Sequence, residues 1–92
     1  MTHYLLIYDV VDDYGTRRMP WRDEHLARAW TAHAAGDLVL GGALDDPLDT
    51  ALLLFRGDTP AAAEAFARAD PYVRNGLVRR WSIRVWRTVV GD

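Results

Sequence analysis

The apolar positions of this chain fall into short strand-like runs separated by stretches of helical period. Tyr4-Leu5-Leu6-Ile7-Tyr8 is apolar on both alternating sets, Leu5 and Ile7 on one face and Tyr4, Leu6 and Tyr8 on the other. That pattern predicts a strand covered on both sides. Asp12-Asp13-Tyr14-Gly15 breaks it. Pro20 then suits the opening turn of a helix, with Asp23 and Glu24 near its positive end. Leu26, Ala29, Trp30 and His33 recur at helical spacing as its core stripe, Glu24 and Arg28 form an outer i,i+4 pair, and Gly36 ends it.

Leu38-Val39-Leu40 reads as a second strand stopped by a Gly41-Gly42 turn, with a further turn at Asp45-Asp46-Pro47. Ala51 to Phe55 is a third strand, again apolar on both faces. Thr59 can cap a second helix with Pro60 at its first position, and Ala62, Ala65, Phe66 and Ala69 form its stripe before Pro71 stops it. After Asn75-Gly76, Val78 to Val89 is a long last strand, with Trp81, Ile83 and Val85 on one face.

The order β-α-β-β-α-β is that of a ferredoxin-like α+β fold. Each crossover makes its two strands parallel and the central connection reverses direction. The result is a four-stranded antiparallel sheet with both helices on one face. The other face is then left bare although strands one and three carry apolar residues on it, and exposed apolar surface of that extent is rare in monomers. A homodimer formed through that sheet face is the expectation.

Composition narrows the classes. A chain of 92 residues is expected to be one domain, spanning residues 1–92, and buries only roughly 60–65% of its unfolded surface. The net charge of −2 gives no basic face for nucleic acid. There is no cysteine, which excludes disulfides, thiolate catalysis and Cys-based metal sites. His3, His25 and His33 show no metal-ligand spacing, so no metal is expected. No phosphate loop, nucleophile elbow or dinucleotide fingerprint is present, and no cofactor is expected. No run approaches the ~20 apolar residues of a membrane span, and the N-terminus does not read as a leader. A cytoplasmic protein without membrane contact is expected. Trp30, Trp81 and Trp86 read as core or interface, His33 as a packing residue, His3 as an edge residue, and the late arginines as mostly solvated.

Topology gives the candidate site. Helix one starts, and helix two ends, on the rim where strand one ends. His25, near the start of helix one, and Asp70, at the end of helix two, therefore share one side of the molecule. A His–carboxylate pair moves protons near neutral pH. Arg22 lies three residues before His25 on the same helix face. Tyr8 ends strand one on this rim, and Gly41 and Gly42 allow close approach of a ligand to backbone. His25 and Asp70 each have a plainer reading, as a helix-surface residue and a helix-ending residue.

Three segments in order carry a resemblance: Arg22-Asp23-Glu24-His25-Leu26-Ala27-Arg28, then Asp37-Leu38-Val39-Leu40-Gly41-Gly42-Ala43-Leu44, then Ala69-Asp70-Pro71-Tyr72-Val73 followed by Gly76-Leu77-Val78. Together they resemble the YciI-like (YCII-related domain) family of small dimeric α+β proteins. The resemblance implies a His–Asp active site at His25 and Asp70. Asp70 would accept a hydrogen bond from one imidazole nitrogen, and the other nitrogen would exchange a proton with substrate. Arg22 or Tyr72 would hold an acidic or phenolic oxygen. The family includes a dehydrochlorinase of chlorinated hydroxyquinols. The connection Asp45–Asp49 is shorter here than in many members, so no substrate contact is transferred to it. The expected function is a small enzyme performing acid–base chemistry, elimination or isomerisation, on a small acidic metabolite such as an aromatic acid. The alternative is a non-catalytic ligand-binding or regulatory dimer using the same cleft.

Overall fold

Strand β1 (Thr2–Val10) occupies the middle of the sheet because it can bury both faces. In the computed structural model, which describes residues 1–91, it pairs antiparallel with β3 (Thr50–Gly57) on one side and β4 (Val78–Trp86) on the other. Strand β2 (Leu38–Ala43) pairs antiparallel with β3, giving the order β2-β3-β1-β4. The expected βαββαβ fold is observed.

The registers set up cross-strand rows on the helix-bearing face. Trp81, Tyr8, Ala51 and Ala43 form one, and Ile83, Leu6, Leu53 and Gly41 the next. Val85, Tyr4, Phe55 and Leu38 form the third. Tyr4, Leu6, Tyr8, Leu53 and Phe55 are buried there under the helices. The opposite face carries Leu5, Ile7, Leu52 and Leu54, half-buried, with exposed Leu40 and Trp86 at its margins.

The connection from β1 to the long helix is more structured than its polar sequence suggested. A short helix α1 (Tyr14–Arg17) leads into a 3-10 turn (Met19–Trp21) and then α2 (Arg22–Ala34). Pro20 sits in the 3-10 turn, so it precedes the α-helix rather than opening it. Buried Tyr14 anchors the segment, and Val11 N–H bonds Leu77 O at 3.0 Å. The helix ends in a Schellman arrangement: Gly36 adopts φ 85°, its N–H bonds His33 O, and Asp37 N–H bonds Ala32 O.

Five other local expectations are corrected. Gly41-Gly42 is no turn; both residues pair within β2, opposite Leu53 and Leu52. Helix α3 (Ala61–Ala69) buries Ala63, Phe66 and Ala67, a face rotated by about one residue from the expected stripe. In an alanine-rich helix only Phe66 fixes the buried side, so periodicity alone misplaces it. Pro71 opens a further short helix, α4 (Pro71–Arg74), instead of simply stopping α3. The last strand ends at Trp86, short of Val89. His3 lies on a central strand, buried, with its Nδ1 3.1 Å from the Thr88 hydroxyl.

The largest departure concerns α2. Its expected core stripe is not buried: no α2 residue is, and Trp30 is 68% exposed. Trp86 is also exposed, and Glu24 and Arg28 form no ion pair, Arg28 lying over the Phe66 ring at 5.5 Å instead. The positions of β2 that look toward the helix layer carry only Gly41 and Ala43 beyond Leu38. With so little side-chain volume there, α2 stands off from this edge of the sheet and leaves a cavity. No helix among the described residues is long and apolar enough to cross a membrane.

Phe66, buried against Phe55, is expected to cost about 3–5 kcal/mol on truncation to alanine. Trp30→Ala should cost only about 0.5 kcal/mol, as an exposed position. Urea unfolding of the two variants checks the contrast. Equal losses would contradict the unpacked arrangement of α2.

Candidate functional site

Asp70 joins three elements. As the residue before proline it is driven to extended backbone, with φ −66° and ψ 126°, which ends α3 and turns its side chain to α4. There it caps the helix, Oδ1 accepting from Tyr72 N–H at 3.0 Å. From the sheet below, the Tyr8 hydroxyl donates to Oδ2 at 2.7 Å. From α2, His25 Nδ1 lies 2.9 Å from Oδ1 and 3.0 Å from Oδ2. Asp70 is fully buried. A carboxylate in that position is costly unless its lone pairs are occupied, and these donors from sheet, α2 and α4 occupy them.

The same geometry determines the state of His25. A carboxylate only accepts, so Nδ1 carries the proton. In the neutral imidazole Nε2 is then the basic nitrogen, and no protein group among the described residues takes it. The ring is held in plane by Tyr72, stacked at 3.9 Å and 8°, and by the edge of Phe66 at 6.0 Å. Its side chain remains 13% exposed. It is a constrained imidazole with one free nitrogen, opening onto the space between α2 and β2.

That space is a cavity of about 430 Å³. His25, Leu26 and Trp30 of α2 form one wall, and Leu53 with Gly41 and Gly42 form the sheet side. A Cβ at Gly41 would meet Leu53 and the Leu52 carbonyl at 3.5–3.7 Å, ordinary contact, so glycine there is not demanded by the backbone. What its hydrogen leaves is room in the cavity floor.

Among the residues singled out from sequence, His25 and Asp70 are bonded to each other, and Arg22, Tyr72, Gly41 and Gly42 line the cavity beside them. Tyr8 is placed differently. It is fully buried beneath Asp70 and forms no part of the cavity wall, because its hydroxyl is directed at the carboxylate. It holds Asp70 from below and has no surface on the cavity. Sequence reasoning missed Tyr14 and Arg18, which also line the cavity. A signal for them existed: Tyr14, Arg18, Arg22 and His25 follow one another at helical spacing, hidden by reading the segment before Pro20 as loop. His33 bonds the Leu38 carbonyl at 2.8 Å and reaches the far end of the cavity. Among the described residues no group of three or more acidic or histidine side chains gathers as for a metal ion.

Three tyrosines surround the pair. Burial raises the ionisation of Tyr8 far above its ordinary value, and the Asp70 charge adds to the effect. Burial likewise raises Tyr14 and Tyr72. All three therefore hold their protons to higher pH than an exposed tyrosine does.

An antiparallel βαββαβ sheet with a histidine–carboxylate pair under its helices and a cavity at its edge defines an α+β protein of the ferredoxin-like class. The chain belongs to the YCII-related domain family, which it matches over residues 1–87. Its fold is similar to that of 5-chloro-2-hydroxyhydroquinone dehydrochlorinase (TftG) from Burkholderia phenoliruptrix, solved in complex with 2,5-dihydroxybenzoquinone. That likeness has a TM-score of 0.75 at 17% identity, over 92% of this chain and 93% of that one. It is also similar to the protein Atu4242 from Agrobacterium tumefaciens, with a TM-score of 0.59 at 13% identity over 97% and 94% of the two chains. At such identities the likeness bears on the fold. No curated protein matches the sequence.

The buried tyrosines give a prediction for alkaline stability. Their ionisation is raised in the folded state, so the unfolded chain loses these protons first, from about 10.0. Stability is therefore fully present below that pH and falls above it, until the folded-state groups themselves ionise. The urea midpoint should hold from neutral pH to about 10.0 and then drop, less steeply in Tyr8→Phe. Tyrosinate absorbance checks this: ionisation of all the tyrosines at ordinary pH without unfolding would contradict it.

Proposed function

We propose that the protein is a small acid–base enzyme acting on a compact ring substrate in the cavity beside α2, with His25 and Asp70 as its catalytic pair. The observation that carries this reading is the geometry of His25, with Nδ1 committed to Asp70 at 2.9 Å and Nε2 free at the cavity wall. Asp70 orients the imidazole and balances the imidazolium that forms when Nε2 accepts a proton. In an elimination the electrons of the broken bond expel the leaving group, and the proton on Nε2 passes to solvent. In an isomerisation the double bond shifts and Nε2 returns the proton at the new position. Tyr72 and Arg22 hold an oxygen of the substrate, and Gly41 and Gly42 leave the space its ring occupies.

The apolar sheet face opposite the helices supports a second element of the proposal, a homodimer formed through it. Leu5, Ile7, Leu52 and Leu54 would be covered by the same residues of a second copy. Leu54→Arg is expected to shift the mass seen in sedimentation from dimer to monomer. A wild-type monomer at micromolar concentration would reject this element.

The enzymatic reading is tested with chlorinated hydroxyhydroquinones, the substrate class in the name of the dehydrochlorinase neighbour. Chloride release by the wild type is expected, with a loss of roughly 10²–10⁴-fold in kcat for His25→Gln. Undiminished turnover by His25→Gln would overturn the role of the pair. Saturable binding of the same compounds with no turnover would favour a ligand-binding protein instead.

A further inference from the structure

We infer that the cavity has an anion-binding pole formed by Arg18, Arg22 and the Tyr72 hydroxyl, and that among ring ligands it prefers those that carry a carboxylate. This deepens the functional reading above, since it rests on the cavity being a ligand site; it does not depend on His25 being catalytic.

Three observations converge. First, Arg18 and Arg22 both line the cavity and no Asp or Glu side chain does. Neither arginine has an ion-pair partner among the described residues. Asp70 is nearby, but it is fully buried behind the His25 ring and its lone pairs are taken.

Second, polar groups at this pole lack partners. Tyr72 is fully buried, it lines the cavity, and its hydroxyl forms no hydrogen bond. Arg18 Nε is buried and equally without one. An unpartnered buried donor is costly, and a ligand's oxygens would supply the missing acceptors. Burial keeps the Tyr72 hydroxyl protonated and so a donor.

Third, the pole is held in place. Arg18 lies over the Tyr14 ring at 5.1 Å, Tyr14 meets Tyr72 edge-on at 5.6 Å, and Tyr72 stacks on His25 at 3.9 Å. A guanidinium fixed in that way presents its planar fork to a carboxylate better than to a point anion. The remaining wall is largely apolar, with Leu26, Trp30 and Leu53. That combination fits a carboxylate attached to a ring, the ring lying within reach of His25 Nε2.

Calorimetric titration at low salt with benzoate and salicylate, each against its uncharged amide, tests the inference. At least one acid should bind the wild type about tenfold or more tightly than its amide, since charge-assisted hydrogen bonds carry about 1.5–3 kcal/mol each. Arg18→Gln and Tyr72→Phe should each lose about that factor for the acid and little for the amide. Tyr72→Phe should keep or raise the melting temperature, because the hydroxyl it removes has no partner in the fold; a fall would assign that hydroxyl a structural bond and overturn its place in the pole. His25→Gln removes the ring on which Tyr72 stacks and should weaken binding overall, yet it should keep the preference for acid over amide, which separates this inference from the catalytic one. Equal affinity for acids and amides, no binding of either acid, or unchanged affinity in Arg18→Gln would overturn it.

Discussion

The burial of one carboxylate organises this molecule. Asp70 sits at the junction of α3 and α4 with no exposed surface, and it is tolerated because the sheet, α2 and α4 each supply a donor. Each of those bonds also fixes something else. The Tyr72 N–H bond starts α4 and sets the Tyr72 ring, which in turn stacks on His25. The Tyr8 bond ties the end of β1 to the helix layer. The His25 bond draws the start of α2 toward α3 and determines which imidazole nitrogen remains free. Removing the carboxylate would leave a buried hydroxyl, an imidazole N–H and a backbone N–H unmatched together, a loss well beyond that of one hydrogen bond.

The second constraint is a volume deficit. Strand β2 presents Gly41 and Ala43 to a helix that carries Leu26 and Trp30. Neither side fills the gap, so apolar side chains that would ordinarily form core stand around a cavity instead. A small domain has little burial to spare, and the core here is concentrated on the other side, around Leu6, Phe55, Phe66 and Leu77. The rigid half positions the polar cluster, and the open half gives the cluster something to face.

The architecture was legible in the sequence because its determinants are local and repeated. Double-sided apolar runs at Tyr4–Tyr8 and Ala51–Phe55 mark central strands, and the alternation of strand and helical periods gives their order. The proximity of His25 and Asp70 was legible too, since topology alone brings the start of one helix and the end of the other to one rim. Other features were hidden for physical reasons. The α1 segment is held by tertiary contacts of Tyr14, which leave no periodic trace in so short a stretch. Gly41 and Gly42 carry turn chemistry but sit in a strand, because pairing with Leu53 and Leu52 outweighs their propensity. Tyr8 looked like a rim residue, yet its side chain turns inward to Asp70, a choice that depends on the register of β1. Trp30 fits a core stripe by spacing, and only the absence of volume on β2 leaves it in solvent.

Everything proposed for His25 depends on its tautomer, which nitrogen NMR of the labelled protein reads directly. At a pH where the ring is neutral, Nδ1 of His25 should carry the proton and couple across a hydrogen bond to the Asp70 carboxylate, with Nε2 bare. In Asp70→Asn that preference should be lost. A wild-type His25 with its proton on Nε2 would contradict the arrangement, because no basic nitrogen would then face the cavity.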